Sequence, residues 1–126
     1  MRILLAGIIA RYPFGGVTWC SLMYLLGLRA LGHEVFYIED TGECVYDPVQ
    51  NTRATDPSYG TSYIHNALDA FGFGDRWTFV NYDGSYHGRS ADEVRQHVHV
   101  RPRTGPAAVP PCLSRPYFGT QTSKHG

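Results

Sequence analysis

Apolar positions predict a strand, a helix and a second strand near the start of the chain. The unbroken apolar run over residues 3–10 is typical of a strand covered on both faces, which favours a parallel sheet. Residues 19–31 carry apolar side chains at helical spacing, with Thr18 as the candidate N-cap and Gly32 as the residue that ends the helix. A second β-rich run follows at residues 35–38. This order is typical of a parallel strand-helix-strand crossover.

Further along, the pattern predicts more alternation of helices and strands. In chain order it indicates a long irregular connection over residues 41–60, a helix over 62–71, a short strand over 77–80 and a turn or hairpin at Asp83-Gly84. Ser90 and Glu93 then have the capping-box spacing that begins a third helix. We therefore predict an α/β fold, a Rossmann-like three-layer parallel sheet, over residues 1–96.

Residues 97–126 differ from the rest of the chain in pattern and in charge. They are rich in proline, lack any helical or strand period, and contain no acidic residue but three arginines and the only lysine. The capping box begins a helix that the following proline-rich segment cannot continue, and natural sequences seldom combine neighbouring segments that conflict in this way. We expect a truncation or a frame shift after about residue 96, with a disordered basic tail and with apolar surface left exposed around Leu22, Met23 and Leu26. A native disordered tail is the alternative.

Composition limits the classes of protein to which the chain can belong. A chain of 126 residues can bury one modest core, and its 11 basic and 11 acidic residues give no electrostatic case for binding nucleic acid or an anionic membrane. No apolar run approaches the roughly 20 residues of a membrane span, and the start lacks the pattern of a signal peptide. Cys20, Cys44 and Cys112 have no metal-type or redox-type spacing, which favours reduced thiols and a cytoplasmic protein.

The first strand, turn and helix carry a family resemblance. Gly15 and Gly16 follow the first strand, and residues 28–35 read LRALGHEV where the helix leads into the second strand. In these features residues 1 to about 90 resemble the N-terminal, acceptor-side domain of GT-B nucleotide-sugar glycosyltransferases, enzymes with two facing Rossmann-like domains. The resemblance implies transfer of a sugar from a nucleotide-sugar, which is a substrate rather than a cofactor, to an acceptor that the sequence does not identify. In that family the C-terminal domain holds most of the donor, so the resemblance implies half an enzyme, inactive alone.

The glycine-bearing turn is where the resemblance points to individual residues. It implies that the backbone at Gly15 and Gly16 approaches the donor diphosphate, and exposed N–H groups at a helix N-terminus independently favour an anion. The paired glycines also permit positive φ. Arg11 can add positive charge to such a site. The alternative is that the two glycines only form a tight turn and that Arg11 is solvated.

Two other classes of function stay open. Glu39 and Asp40 end the second strand, where dinucleotide-binding folds place a carboxylate on the ribose 2′-hydroxyl, so a nicotinamide- or nucleotide-binding module is one alternative. Against it, residues 7–16 contain no G-x-G-x-x-G fingerprint. In the glycosyltransferase interpretation the same carboxylates border the acceptor side of the cleft. The other alternative is a non-enzymatic interaction module, in which the apolar helix over 19–31 docks on another chain.

Other side chains give weaker signals. No spacing distinguishes a catalytic base, so that role stays unassigned among the candidate histidines His33, His65 and His87. His97 and His99 would share a strand face but have no third ligand nearby, and we predict no metal site. Aromatic residues flanking the short strand can stack on a sugar but are more often core: Trp77, Phe79, Tyr82 and Tyr86.

Overall fold

A computed structural model of the chain describes residues 1–97. The predictions for the tail and for the side chains of His97 and His99 lie outside the described residues. The described part contains, in order, β1 (Arg2–Ala6), α1 (Gly15–Ala30), β2 (Glu34–Glu39), β3 (Val45–Asp47), β4 (Thr52–Ala54), α2 (Ser58–Asp69), β5 (Trp77–Val80), β6 (Tyr86–Gly88) and α3 (Ala91–His97). The fold class is therefore α/β, as predicted.

The main sheet has four strands in the order β1-β2-β5-β6. β1 pairs with β2, and β2 with β5, in parallel, whereas β5 pairs with β6 in antiparallel. The sheet is thus mixed, and the prediction of an all-parallel sheet holds for three of its four strands. The physical reason is the predicted Asp83-Gly84 turn, because a chain that reverses through a short turn can only form an antiparallel pair.

The core is divided between the two faces of the sheet by the alternation of side chains along β2. Val35 and Tyr37 belong to the larger cluster, whereas Phe36 and Ile38 pack on the opposite side with Val94 of α3. Apolar residues from α1 and α2 complete the larger cluster: Leu22, Leu25, Ile64 and Leu68. Helices therefore cover both faces, with α1 and α2 on one and α3 on the other.

β1 lies at an edge of the described sheet, and none of its residues is fully buried, whereas the sequence predicted a strand covered on both faces. It ends at Ala6, and its central residues are half-buried. The rest of the apolar run, residues 7–10, forms part of a loop, where Ile9 and Ala10 are fully buried. A continuous apolar run therefore reflects burial here and not strand length, since periodicity does not separate a strand from a buried loop.

α1 begins four residues before its predicted start. Phe14 is the N-cap, and Thr18 lies within the first turn, where its N–H donates to the Phe14 carbonyl at 3.0 Å. The Thr18 hydroxyl also donates to that carbonyl and lies 2.9 Å from the Tyr63 hydroxyl of α2. Thr18 was predicted as the cap, but its hydroxyl serves to link the first turn of α1 to α2.

The end of α1 agrees with the prediction. Gly32 has φ of 87°, and its N–H donates to the Arg29 carbonyl, while the His33 N–H donates to Leu28. These two bonds form a Schellman motif, which satisfies carbonyl groups that the helix leaves without partners.

The expected exposure of apolar surface on α1 is only partly confirmed. Met23 is 58% exposed, Leu26 is half-buried, and Leu22 is buried at 3% exposure. Leu22 is buried because it packs in the cluster formed with α2 and the sheet. The two helices on this face therefore cover part of the surface that was expected to lie open.

The connection over residues 41–60 is more regular than predicted. It contains the antiparallel pair of β3 and β4, in which Tyr46 lies opposite Arg53. Asp47 accepts hydrogen bonds from the N–H groups of Val49 and Gln50, and Asn51 has φ of 52°. Asp and Asn stabilise such a turn through local bonds and through tolerance of the left-handed region. The strands are too short to show a period in the sequence.

The capping box that predicted the third helix is present. The Ser90 N–H donates to Glu93 Oε2 at 2.9 Å, and the Glu93 N–H donates to the Ser90 hydroxyl at 3.4 Å. The Ser90 N–H and the Ser90 hydroxyl, which both donate to the Glu93 carboxylate, and the neighbouring Arg89 hold the pKa of Glu93 below its usual value. The helix then buries Val94 against the sheet, so the start of α3 is fixed by local bonds and by packing.

The two cysteines among the described residues differ in state. Cys20 is a free, exposed thiol, whereas Cys44 is disulfide-bonded, so the prediction of reduced thiols is wrong for Cys44. Spacing along a sequence does not report distance in space, and distance decides which cysteines can pair. Within residues 1–97 no helix combines the length and apolar character needed to cross a membrane.

Two glycines of the α1 region should respond in opposite ways to alanine. Gly32→Ala should lower the free energy of unfolding by about 1 kcal/mol, because Gly32 has a left-handed backbone. Gly27→Ala should raise it by about 0.5–1 kcal/mol, because Gly27 lies inside the helix and an added Cβ meets no atom within 4 Å. Urea unfolding of both variants checks this, and changes of the same sign would contradict it.

Candidate functional site

The candidate site lies where the three parallel strands end. In α/β sheets, ligands bind in the crevice outside the carboxyl ends of the parallel strands. Here the loop of residues 7–14 leaves β1, and the first turn of α1 begins at Gly15. β2 ends beside this loop at Glu39. The site is therefore built from the β1–α1 loop, the start of α1 and the end of β2.

Glu39 holds the β1–α1 loop. Its carboxylate is fully buried and accepts the Ala10 N–H at Oε2 (2.8 Å) and the Arg11 N–H at Oε1 (2.7 Å). The Tyr37 hydroxyl donates to Oε2 at 3.0 Å and accepts the Ile9 N–H at 3.0 Å. Three successive N–H groups of the loop are thus bound by two side chains of β2.

Close packing holds the same loop on two sides. The Gly7 N–H donates to the Ile38 carbonyl at 3.0 Å, and a Cβ on Gly7 would lie 2.5 Å from the Tyr37 hydroxyl oxygen. A Cβ on Gly60, in the first turn of α2, would lie 2.8 Å from the Ala10 carbonyl oxygen. Glycine is required at both positions because β2 and α2 approach the loop backbone too closely for a side chain.

Burial raises the pKa of both Glu39 and Tyr37. Desolvation raises the pKa of Glu39 to about 6, although the N–H groups of Ala10 and Arg11, the Tyr37 hydroxyl and the Arg11 charge all act to lower it. Burial, and then the charge of Glu39, raise the pKa of Tyr37 far above its ordinary value. Tyr37 therefore remains a hydroxyl donor, and Glu39 is the group in this network that titrates near neutrality.

Gly15 and Gly16 are the first two residues of α1, and both are exposed. Their backbone is helical and not in the left-handed region that paired glycines permit. An added Cβ at either position would meet no atom within 4 Å, and Phe14 provides no side-chain cap. The first N–H groups of a helix have no partner within it, so this end of α1 is open to a ligand.

Arg11 is engaged with a residue that the sequence did not single out. Its side chain is 20% exposed, forms an ion pair with the carboxylate of Glu43, and lies over the Tyr12 ring with 5.1 Å to the centroid. Glu43 Oε2 also lies 3.8 Å from Arg53. The charge of Arg11 is therefore partly balanced by Glu43. Since residues 41–60 showed no period, no signal in the sequence indicated that Glu43 would reach Arg11.

A cleft of about 640 Å³ lies between the end of β1 and the first turns of α1. This volume is typical of a small-molecule site. Gly16 lines it, so one of the two predicted glycines faces the cleft. The other lining residues are mostly apolar: Leu5, Ala6, Gly7, Ile8, Val17, Cys20, Ser21 and Tyr24.

Several other predicted residues lie elsewhere. Glu39 is fully buried against the loop, which argues against the alternatives that place it on a ribose hydroxyl, beside an acceptor or in solvent, whereas Asp40 is exposed at the end of β2. The three candidate bases lie on different parts of the fold, and none lines the cleft: His33, His65 and His87. Trp77 and Phe79 are core residues, as expected, and Tyr82 and Tyr86 are half-buried. Within residues 1–97 no group of three or more His, Cys, Asp or Glu side chains is arranged to hold a metal ion.

The stability of the protein should depend on pH through Glu39. Its pKa of about 6 in the folded state exceeds the ordinary 4.5, so the folded state binds more protons between these values. The contribution of Glu39 to stability is therefore fully present below about pH 4.5 and is lost as the pH rises through about 6, a change of about 2 kcal/mol. Urea unfolding of wild type and Glu39→Gln at pH 4.5 and 7 checks this. Equal pH dependence in the two proteins would contradict it.

Comparison of the chain with protein-family models, with curated proteins and with solved structures finds no match.

Proposed function

We propose that residues 1–97 form the Rossmann-like, acceptor-side domain of a GT-B-type nucleotide-sugar glycosyltransferase. The observation that carries this proposal is the uncapped start of α1, where Gly15 and Gly16 leave space for a ligand at the carboxyl end of β1. The LRALGHEV segment that motivated the resemblance supports it, since it forms the end of α1, its Gly32 cap and the start of β2.

The arrangement of strands and helices supports the Rossmann-like part of the proposal. The three parallel strands lie side by side in the order β5-β2-β1. Counted along the chain they are the third, second and first parallel strands, and the order 3-2-1 is that of the first half of a doubly wound sheet. α3 packs on the face opposite α1 and α2, as expected where the chain begins to cross to the other side of β1. In such a sheet the next strand lies beside β1.

The proposed reaction needs two things from this domain. A diphosphate at the start of α1 would accept hydrogen bonds from backbone N–H groups and would be stabilised by the helix dipole. An acceptor hydroxyl in the neighbouring cleft would attack the anomeric carbon as the nucleoside diphosphate leaves, and a base would take its proton. Arg11 is proposed as a secondary contact, because Glu43 already balances part of its charge.

One alternative is favoured by a specific observation. Exposed side chains on α1 form apolar surface that would suit a non-enzymatic docking module: Trp19, Met23 and Tyr24. The nicotinamide-binding alternative has less support, because Glu39 is committed to the loop and the glycine fingerprint is missing.

Titration with inorganic pyrophosphate tests the anion site. In ¹⁵N-HSQC spectra of the full chain, the amide signals of Gly15, Gly16 and Val17 should shift more than any others. Gly16→Val should weaken binding about fivefold or more, because a branched side chain fills the space at the helix start. Gly27→Val is the matched control, since it places the same side chain in an open position in the last turn of α1, at the opposite end from the proposed site. Shifts confined to other residues would contradict the site.

Activity provides a second test. Because the GT-B class holds the donor mainly in its C-terminal domain, we expect the chain of 126 residues to transfer no sugar by itself. Incubation with a panel of nucleotide-sugars and simple acceptors, with detection of free nucleotide, checks this. Steady release above a blank, abolished by Gly16→Val but not by Gly27→Val, would show that the domain is sufficient.

A further inference from the structure

We propose that Glu39 is a positioning residue, which holds the β1–α1 loop so that the start of α1 presents its N–H groups to a diphosphate. This inference rests on the proposed function, since it concerns the same site. It assigns Glu39 a role different from that of a ribose ligand, because the side chain is fully buried and does not line the cleft.

The geometry of the carboxylate carries the inference. Its two oxygens accept the N–H groups of two successive loop residues, Ala10 and Arg11, at 2.8 and 2.7 Å. Only a carboxylate offers two acceptor atoms at this spacing, because an amide of the same shape would turn an NH₂ group toward one of the two N–H donors. Bonds of this kind, with a charged acceptor, are stronger and shorter than bonds between neutral groups.

Further hydrogen bonds fix the β1–α1 loop at both of its ends. At its start, Gly7 bonds to the Ile38 carbonyl, and Ile9 bonds to the Tyr37 hydroxyl, which itself donates to Glu39. At its end, the Tyr46 N–H of β3 donates to the Arg11 carbonyl. Three residues beyond Arg11 lies Phe14, the N-cap of α1, so displacement of the loop would move the first turn of the helix.

Burial of the Glu39 carboxylate does not by itself stabilise the folded protein. Removing its charge from water costs free energy, and the bonds that it accepts offset that cost only in part. Apolar side chains at the same strand end would leave the N–H groups of Ala10 and Arg11 without partners, so the loop could not keep its present path. The carboxylate thus preserves one loop geometry, which matters where a site depends on the placement of backbone groups.

The test compares Glu39→Gln with Val94→Ala. Val94 is buried on the opposite face of the sheet, so its truncation lowers stability without contacting the loop. Pyrophosphate affinity is measured for the full chain by the shifts of the Gly15 and Gly16 amides, at a temperature where each variant remains folded. Glu39→Gln should weaken binding about fivefold or more and shift the amide signals of Ala10 and Arg11, because displaced groups bind an anion poorly. Val94→Ala should leave the affinity unchanged.

Each outcome decides a different point. If the wild type binds pyrophosphate and Glu39→Gln binds it equally well, the positioning role is overturned and the proposed function stands. If Val94→Ala loses as much affinity as Glu39→Gln, a general loss of stability explains both and the positioning role is again overturned. If the wild type produces no shifts at Gly15 and Gly16, the proposed function fails, and the inference fails with it.

If Glu39→Gln does not fold, a second variant tests the same hydrogen-bond network. Tyr37→Phe retains both bonds from Glu39 to the loop but removes the hydroxyl that binds Ile9 and Glu39. It should weaken pyrophosphate binding about twofold to threefold, since one of the loop's neutral hydrogen bonds is lost. Wild-type affinity in Tyr37→Phe, with shifted Ile9 and Ala10 signals, would overturn the role of this network in positioning the site.

Discussion

The buried carboxylate of Glu39 is the constraint on which the candidate site depends. It lies at the end of β2 and binds backbone groups of the loop that leaves β1, so it couples the register of two neighbouring strands to the path of that loop. Gly7 and Gly60 permit the close approach of β2 and α2 that completes the enclosure. The start of α1 is held in turn, because the loop leads directly into it.

The same architecture leaves other parts of the protein open. β1 is an edge strand in the described sheet, and neighbouring α1 exposes Trp19, Met23 and Tyr24. Edge strands carry unpaired N–H and C=O groups and are commonly covered by further structure. The cleft lies along this edge, bounded by Leu5 and Tyr24. A ligand in this cleft would lie beside an edge strand of the described sheet.

Charged side chains contribute little positive potential to the candidate site. Arg11 is partly neutralised by Glu43, and Glu39 faces the loop and not the cleft. Positive potential at the start of α1 therefore comes chiefly from backbone N–H groups and the helix dipole. A diphosphate, as proposed for this site, would therefore be bound mainly through backbone N–H groups.

Local pattern was sufficient for much of the fold. The end of α1, the positions of β2 and β5 and the capping box of α3 follow from spacing, Gly32 and local side-chain bonds, which depend on residues close in sequence. Gly15 and Gly16 were predicted in the turn before the helix, but they are the first two residues of α1, because the N-cap is Phe14 and not Thr18. The β3–β4 pair was missed because strands of three residues are too short to show a period.

Tertiary structure alone decided the role of Glu39, the partner of Arg11 and the edge position of β1. Glu39 bonds to residues 28 and 29 positions away, and Arg11 pairs with Glu43 across a connection without a recognisable pattern. The sequence determined which residues are apolar, charged or glycine, and hence which elements form. Which polar groups meet depends on how those elements pack, because strands distant in sequence become neighbours only when the sheet assembles.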